Sequence, residues 1–215
     1  MVADFRTVAV LGSSGRLGRH VVAELLQRGS CVRALIHRNN PFDQDARLAV
    51  VTGDVHDASA IASAIDCVDA VIATLGSAEA LVKDVSSAAM QHLIPVMLSF
   101  GIRRIVSVTG SAARLDVEIG CEHPYHQARR EWMMQHNPEL VLDGEHHWRL
   151  LRNSGLDWTV VRAPRMVDGP GAGGCRLVAE PPPPSSVLPY RAVAATIVDQ
   201  LASRSWLGRA PFASP

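Results

Sequence analysis

Three glycines spaced three apart, Gly12, Gly15 and Gly18, break an apolar run early in the chain, and their spacing is that of a phosphate-binding turn. The run before them, Val8-Ala9-Val10-Leu11, is rich in β-branched residues, while Val21, Val22, Leu25 and Leu26 after them recur at the helical period. The segment therefore reads as strand, tight turn, helix. A glycine at 12 permits the sharp turn, the missing side chain at 15 lets the main chain approach a phosphate, and Gly18 lets the helix pack closely on the strand. Amides at the start of that helix, around Ser14, Arg16 and Leu17, would face the ligand with the helix dipole behind them and hold a pyrophosphate. The spacing is G-x-x-G-x-x-G, not G-x-G-x-x-G, so the strand before and the amphipathic helix after carry the reading of a nucleotide site.

The other candidate residues fall at the ends of later strands. A second strand, 31–36, runs into His37 and Arg38. An acidic residue there would bond the ribose 2′-hydroxyl of NAD; the Arg38 guanidinium instead suits the 2′-phosphate of NADP, with Arg16 to assist. A third strand, 48–51, leads to Gly53-Asp54-Val55, where the Asp54 carboxylate and the Val55 amide would lie over an adenine. Asp57 caps a helix through Ile65. The fourth strand, 68–73, ends in Thr74-Leu75-Gly76-Ser77, a second glycine turn directed at the cofactor's ribose and phosphates. The fifth, 103–109, opens into Gly110-Ser111, which makes Thr109 and Ser111 active-site candidates or ordinary turn residues. The sixth, 158–161, continues into Arg162-Ala163-Pro164-Arg165, again at the ligand end.

These strand ends need elements to position them. Apolar positions from Leu81 to Met97 make a long helix that Pro95 should kink or shorten. The charged, proline-containing stretch 115–142 reads as a flap or insertion over the crevice and carries Tyr125. Cys121, His123 and His126 within it lack a fourth partner and the usual spacing, so no metal is expected. Asp143 is expected to cap the next helix, in which His147 looks inward as a packed histidine. Loops over 163–190 lie on the substrate side, a helix from Tyr190 to Leu201 closes the fold, and the tail after Ser203 is expected to be disordered.

The chain of 215 residues fits one α/β domain, a doubly wound parallel sheet spanning 1–215. With 21 Lys+Arg against 21 Asp+Glu the formal net charge is zero, so nothing global draws it to nucleic acid or an anionic membrane. Its apolar runs are far short of a bilayer span, and Asp4 and Arg6 spoil a signal peptide, which points to a soluble, cytoplasmic protein. Four scattered cysteines with no C-x-x-C suit reduced thiols. Expected partners are a small-molecule acceptor and, at most, a few copies of the same chain.

Gly12 to Gly18, Gly53-Asp54-Val55, Thr74-Leu75-Gly76, Ser154 to Arg162 and Asp168-Gly169-Pro170 together resemble the atypical short-chain dehydrogenase/reductases. The nearest members are the NAD(P)H-binding, NmrA-like proteins and the biliverdin-IXβ/flavin reductase group. The likeness runs in order from Thr7 to Leu201. It implies a Rossmann fold with a small C-terminal substrate-binding region, NADP(H) as cofactor, and hydride transfer to a flavin, quinone or similar acceptor. Typical members use a serine after the fifth strand and a Tyr-x-x-x-Lys on the next helix. Here Gly110 stands in the serine's place, Leu140 and Gly144 stand for the Tyr and Lys, and Tyr125 to Arg129 is a shifted copy out of register. Arg165 stands where the biliverdin reductases carry a histidine. Arg165 and Ser111 are therefore expected to orient an anionic or carbonyl oxygen beneath a flap carrying Tyr125. The alternatives are an NmrA-like sensor that binds NADP(H) without turnover, and an isomerase or cyclase using Tyr125 or His126.

Overall fold

In the computed structural model, residues 5–76, 83–120, 123–169 and 174–215 are described. Eight strands form one sheet in the order β3-β2-β1-β4-β5-β6-β10-β8. They are β1 (Thr7–Leu11), β2 (Cys31–Ile36), β3 (Leu48–Thr52), β4 (Ala70–Ala73), β5 (Arg104–Gly110), β6 (Asp157–Ala163), β8 (Arg176–Val178) and β10 (Phe212–Ser214). Every neighbouring pair is parallel except β10 with β8, and the short β7 (Arg165–Val167) and β9 (Val187–Pro189) pair separately.

Period-two alternation sorts the strand side chains onto two helical layers. Val8 and Val10 pack with α1 (Arg16–Gln27) and α6 (Tyr190–Ala202), whereas Ala9 and Leu11 pack with α2 (Ala58–Ile65), α3 (Val85–Ser99) and α5 (Pro138–Arg152). With both faces covered, no polar alternation is needed, which is why the parallel strands read as continuous apolar runs. Leu11, Leu25 and Ile72 are fully buried, each contributing about 1.5–3 kcal/mol of transfer free energy. The strand order reverses between β1 and β4. In a doubly wound sheet that switch opens a crevice at the carboxyl ends of the strands.

Four expectations are corrected. The stretch 115–142 is not irregular: it folds as a 3-10 turn at Asp116–Glu118, then α4 (Pro124–His136) and the first turn of α5. Pro124 and Pro138 occupy first helical positions, where the missing N–H costs nothing. Asp143 does not begin a helix. It lies inside α5, and its carboxylate accepts the Ser86 and Ser87 amides at 3.0 and 2.8 Å, capping α3 instead. The tail after Ser203 is ordered, because Phe212 and Ala213 are buried where β10 inserts between β6 and β8. Pro95 does not shorten α3, which runs through it to Ser99 with the proline ring on an exposed face. Ser77, Leu81, Cys121 and Pro170 lie outside the described residues.

Candidate active site

The turn between β1 and α1 is built by glycine geometry. Gly12 has φ +76°, and a Cβ there would sit 3.0 Å from the Thr74 carbonyl carbon and oxygen at the end of β4. A Cβ on Gly18 would fall 2.1 Å from the Gly12 oxygen, so Gly18 is spent on close packing and lines neither large cleft. Gly15 is the N-cap of α1 and provides no capping side chain; the first turn holds no acid, and the earliest bond into the helix is Arg19 N–H to Gly15 O at 3.0 Å. Ser13 Oγ donates to Leu35 O at 2.7 Å, tying the turn to β2. An N-terminal helical turn without a side-chain cap, bedded on β1, β2 and β4, has the donor set that a diphosphate requires.

Two clefts meet over this turn. One, of about 670 Å³, is lined by His37, Arg38, Asp54 and Val55, which the sequence reading assigns to an adenosine, and by Gly12, Ser14, Leu75 and Gly76, which it assigns to the phosphates and their ribose. His56, which the sequence reading passed over, joins them. Its ring Nδ1 and amide both bond Asp54 Oδ1, at 2.8 and 2.9 Å, and its Nε2 reaches Asp84 at 3.2 Å. His37 Nε2 lies 3.2 Å from the other Asp54 oxygen. The His56 amide and ring hold the Asp54 carboxyl below the usual carboxylate range, and Asp54 in turn raises the His56 pKa. The G-D-V-H-D string carried that pairing, since an aspartate bonding two residues ahead is ordinary turn chemistry.

The second cleft, of about 610 Å³, shares Gly12, Ser14, Leu75 and Gly76 and adds Gly15, Arg16, Leu17, Thr109 and Pro164. Its far wall comes largely from the region read as a flap, Arg129 and Met133 on α4 and Leu140 on α5, joined by Gly144, Met166 and Tyr190. Not all expected catalytic residues come together here. Ser111 and Tyr125 border only a crevice of about 10 Å³, closed by Pro181 to Pro184. Arg165 is exposed on β7 and lines no described cleft, while the next residue, Met166, faces in. His126 is buried, with Nε2 3.2 Å from Ala113 O. His147 is buried too, 2.7 Å from Ser107 Oγ. Arg129, Met133 and Tyr190 were not legible as site residues, because no local signal tells which face of α4 or which end of α6 meets the crevice.

A doubly wound sheet with a glycine turn at its switch point defines a nucleotide-binding α/β protein. The sequence pattern of the NAD(P)H-binding family matches residues 12–204, and the chain belongs to that family. Over 87 residues it is 34% identical to an isoflavone reductase homolog from Zea mays, covering 36% of this chain and 28% of that protein. Over 58 residues it is 45% identical to a ceramide reductase from Caulobacter vibrioides, covering 26% and 18%. The matched stretches thus span less than a third of either relative. The fold is similar to a wide-type short-chain dehydrogenase/reductase from Veillonella parvula solved with NADP, at TM-score 0.79 and 16% identity over 99% of this chain and 95% of that one. It is also similar to an anaerobillin reductase from Escherichia coli O157:H7, at TM-score 0.75 and 19% identity over 97% and 96%. Among the described residues no helix is long and apolar enough to cross a membrane, and no group of three or more His, Cys, Asp or Glu could hold a metal.

Proposed function

We propose that the protein is an NADPH-dependent reductase of a flavin, quinone or similar planar conjugated acceptor. The observation that carries this reading is the continuity of the two clefts. They share Gly12, Ser14, Leu75, Gly76 and Val85, so one trough leads from His37 and Arg38 to an apolar wall of Met133, Leu140 and Met166. The nicotinamide would supply the hydride, and the protein supplies holding and orientation. The glycine turn with Ser14, Gly15, Arg16 and Leu17 would hold the diphosphate, and Arg38 would fork onto a 2′-phosphate. Asp54 and the Val55 amide would hold the adenine. Thr109, Gly110 and Pro164 stand where the acceptor's reacting edge would be oriented.

Leu140 and Gly144 occupy the wall where a tyrosine and lysine would provide a proton. That choice disfavours simple ketones, whose alkoxide needs a donor, and favours conjugated acceptors protonated by solvent. The same pair favours a second reading, an NADP(H) sensor with no turnover. Mixing the protein with NADPH and a panel of flavins and quinones tests both. Loss of nicotinamide absorbance supports the reductase; tight binding with no oxidation of NADPH by any acceptor overturns it in favour of the sensor.

A further inference from the structure

We infer that Arg129 anchors a carboxylate on the acceptor, so that the site selects planar conjugated acids over their neutral analogues; this rests on the reductase reading of the trough. The charged side chains lining the second cleft are Arg16, Arg19 and Arg129, and among the described residues no carboxylate lines it. Arg16 and Arg19 belong to the glycine turn and its helix. Arg129 comes from α4, beside Thr109 and Pro164.

Arg129 and its sequence neighbour have opposite fates. Arg130 is bonded to Glu145 and to Ala112 O. Arg129 is half-buried, pairs with no described carboxylate, and has its guanidinium 5.2 Å from the Trp132 ring centre. Loss of water lowers its pKa, which marks a cation with little compensation. The indole ring attracts the guanidinium through its face and takes up none of its N–H donors, which stay available to a ligand.

An acceptor bound here meets apolar surface at Met133, Leu140 and Met166 and, apart from the two arginines of the first turn and its helix, one cation, Arg129. A neutral ring system would cover the apolar wall yet leave the desolvated guanidinium unmatched, which is unfavourable. A ring bearing a carboxylate matches both, with two parallel N–H···O bonds available from Arg129.

The test is an equilibrium titration of the NADP⁺-loaded protein with a naphthoquinone carboxylic acid and with its methyl ester. The wild type is expected to bind the acid about ten- to a hundred-fold more tightly than the ester. In R129Q that preference should collapse to near unity, and R129K, which keeps the charge but not the fork, should recover part of it. Equal binding of acid and ester by the wild type, or an undiminished preference in R129Q, overturns the proposal. A parallel fall in NADP⁺ affinity in R129Q also overturns it, by assigning Arg129 to the cofactor. A larger preference for FMN over riboflavin than for acid over ester would place a phosphate there instead and overturn the carboxylate. Because binding is read without turnover, absence of NADPH oxidation would remove the reductase reading while the acid preference still decides the role of Arg129.

Discussion

Gly144 and Thr109 meet so closely that not even a methyl group fits between them: a Cβ on Gly144 would lie 2.2 Å from Thr109 Oγ1. The contact seats α5 on the carboxyl end of β5, and both residues line the second cleft. Gly144→Ala should drive the Thr109 hydroxyl from its place and destabilise the protein by about 1–3 kcal/mol. It should raise the acceptor KM more than the Kd for NADPH. Adding Thr109→Ala should recover stability, since the next atom, Thr109 Cβ, is 3.5 Å away. Denaturant unfolding of the two single variants and the double variant checks this, and strictly additive losses would show that the contact is not the cause.

Two glycines of the first turn, Gly15 and Gly18, should separate by experiment. Gly18→Ala would force a methyl group 2.1 Å from the Gly12 oxygen and 2.8 Å from Ser13 Cα, both main-chain atoms. A loss of about 3 kcal/mol in unfolding free energy is expected, with cofactor binding lost as a consequence. Gly15→Ala meets only the Gly12 oxygen at 3.2 Å, a contact that a small shift relieves. It should fold to within about 1 kcal/mol of the wild type yet bind NADPH roughly ten-fold more weakly, because its methyl group fills the approach to the diphosphate. Gly15→Val should abolish binding in a folded protein. Unfolding curves beside NADPH titrations separate the two effects, and matching stability losses at 15 and 18 would contradict the assignment.

What was legible in the sequence was whatever local spacing determines. The succession of the first six strands along the chain, the glycine turn and the residues that line the first cleft follow from apolar runs and from turn residues at strand ends. What was not legible depends on contacts distant in sequence. Asp143 looks like a helix cap and is one, but for α3, 56 positions earlier than its own place at the bond to Ser87. Phe212 and Ala213 sit in a short tail rich in small residues, and only pairing with β6 on one side and β8 on the other makes them a strand. Arg165 and Met166 differ by one position, so strand alternation sends one outward and the other to the cleft.

The buried His147 gives the protein an acid-sensitive core. Gly144 O can only accept, so Nδ1 at 3.1 Å carries the proton and Nε2 accepts from Ser107 Oγ at 2.7 Å. Burial lowers the His147 pKa from 6.5 to about 4. Between those values the unfolded chain binds a proton that the folded chain refuses. The stability is therefore full above pH 6.5 and falls as the pH drops toward 4, by up to about 3 kcal/mol. His147→Gln should be less stable at neutral pH but show a flatter profile between pH 6.5 and 5. Unfolding free energies across that range measure the difference, and parallel slopes would place the sensitivity elsewhere.

Cofactor choice rests on the end of β2. His37 is engaged with Asp54 at 3.2 Å, whereas Arg38 lines the same cleft with no described carboxylate beside it. A 2′-phosphate would meet the Arg38 fork, whereas the one carboxylate described in this cleft, Asp54, is already engaged by His37 and His56. Arg38→Ala should weaken NADPH binding about ten- to fifty-fold, the size of one charge-assisted pair, and NADH binding by less than about three-fold. Titrating both cofactors against both proteins gives the ratio directly. Equal losses for the two dinucleotides would mean that Arg38 does not read the phosphate, and that His37 or Arg16 sets any preference.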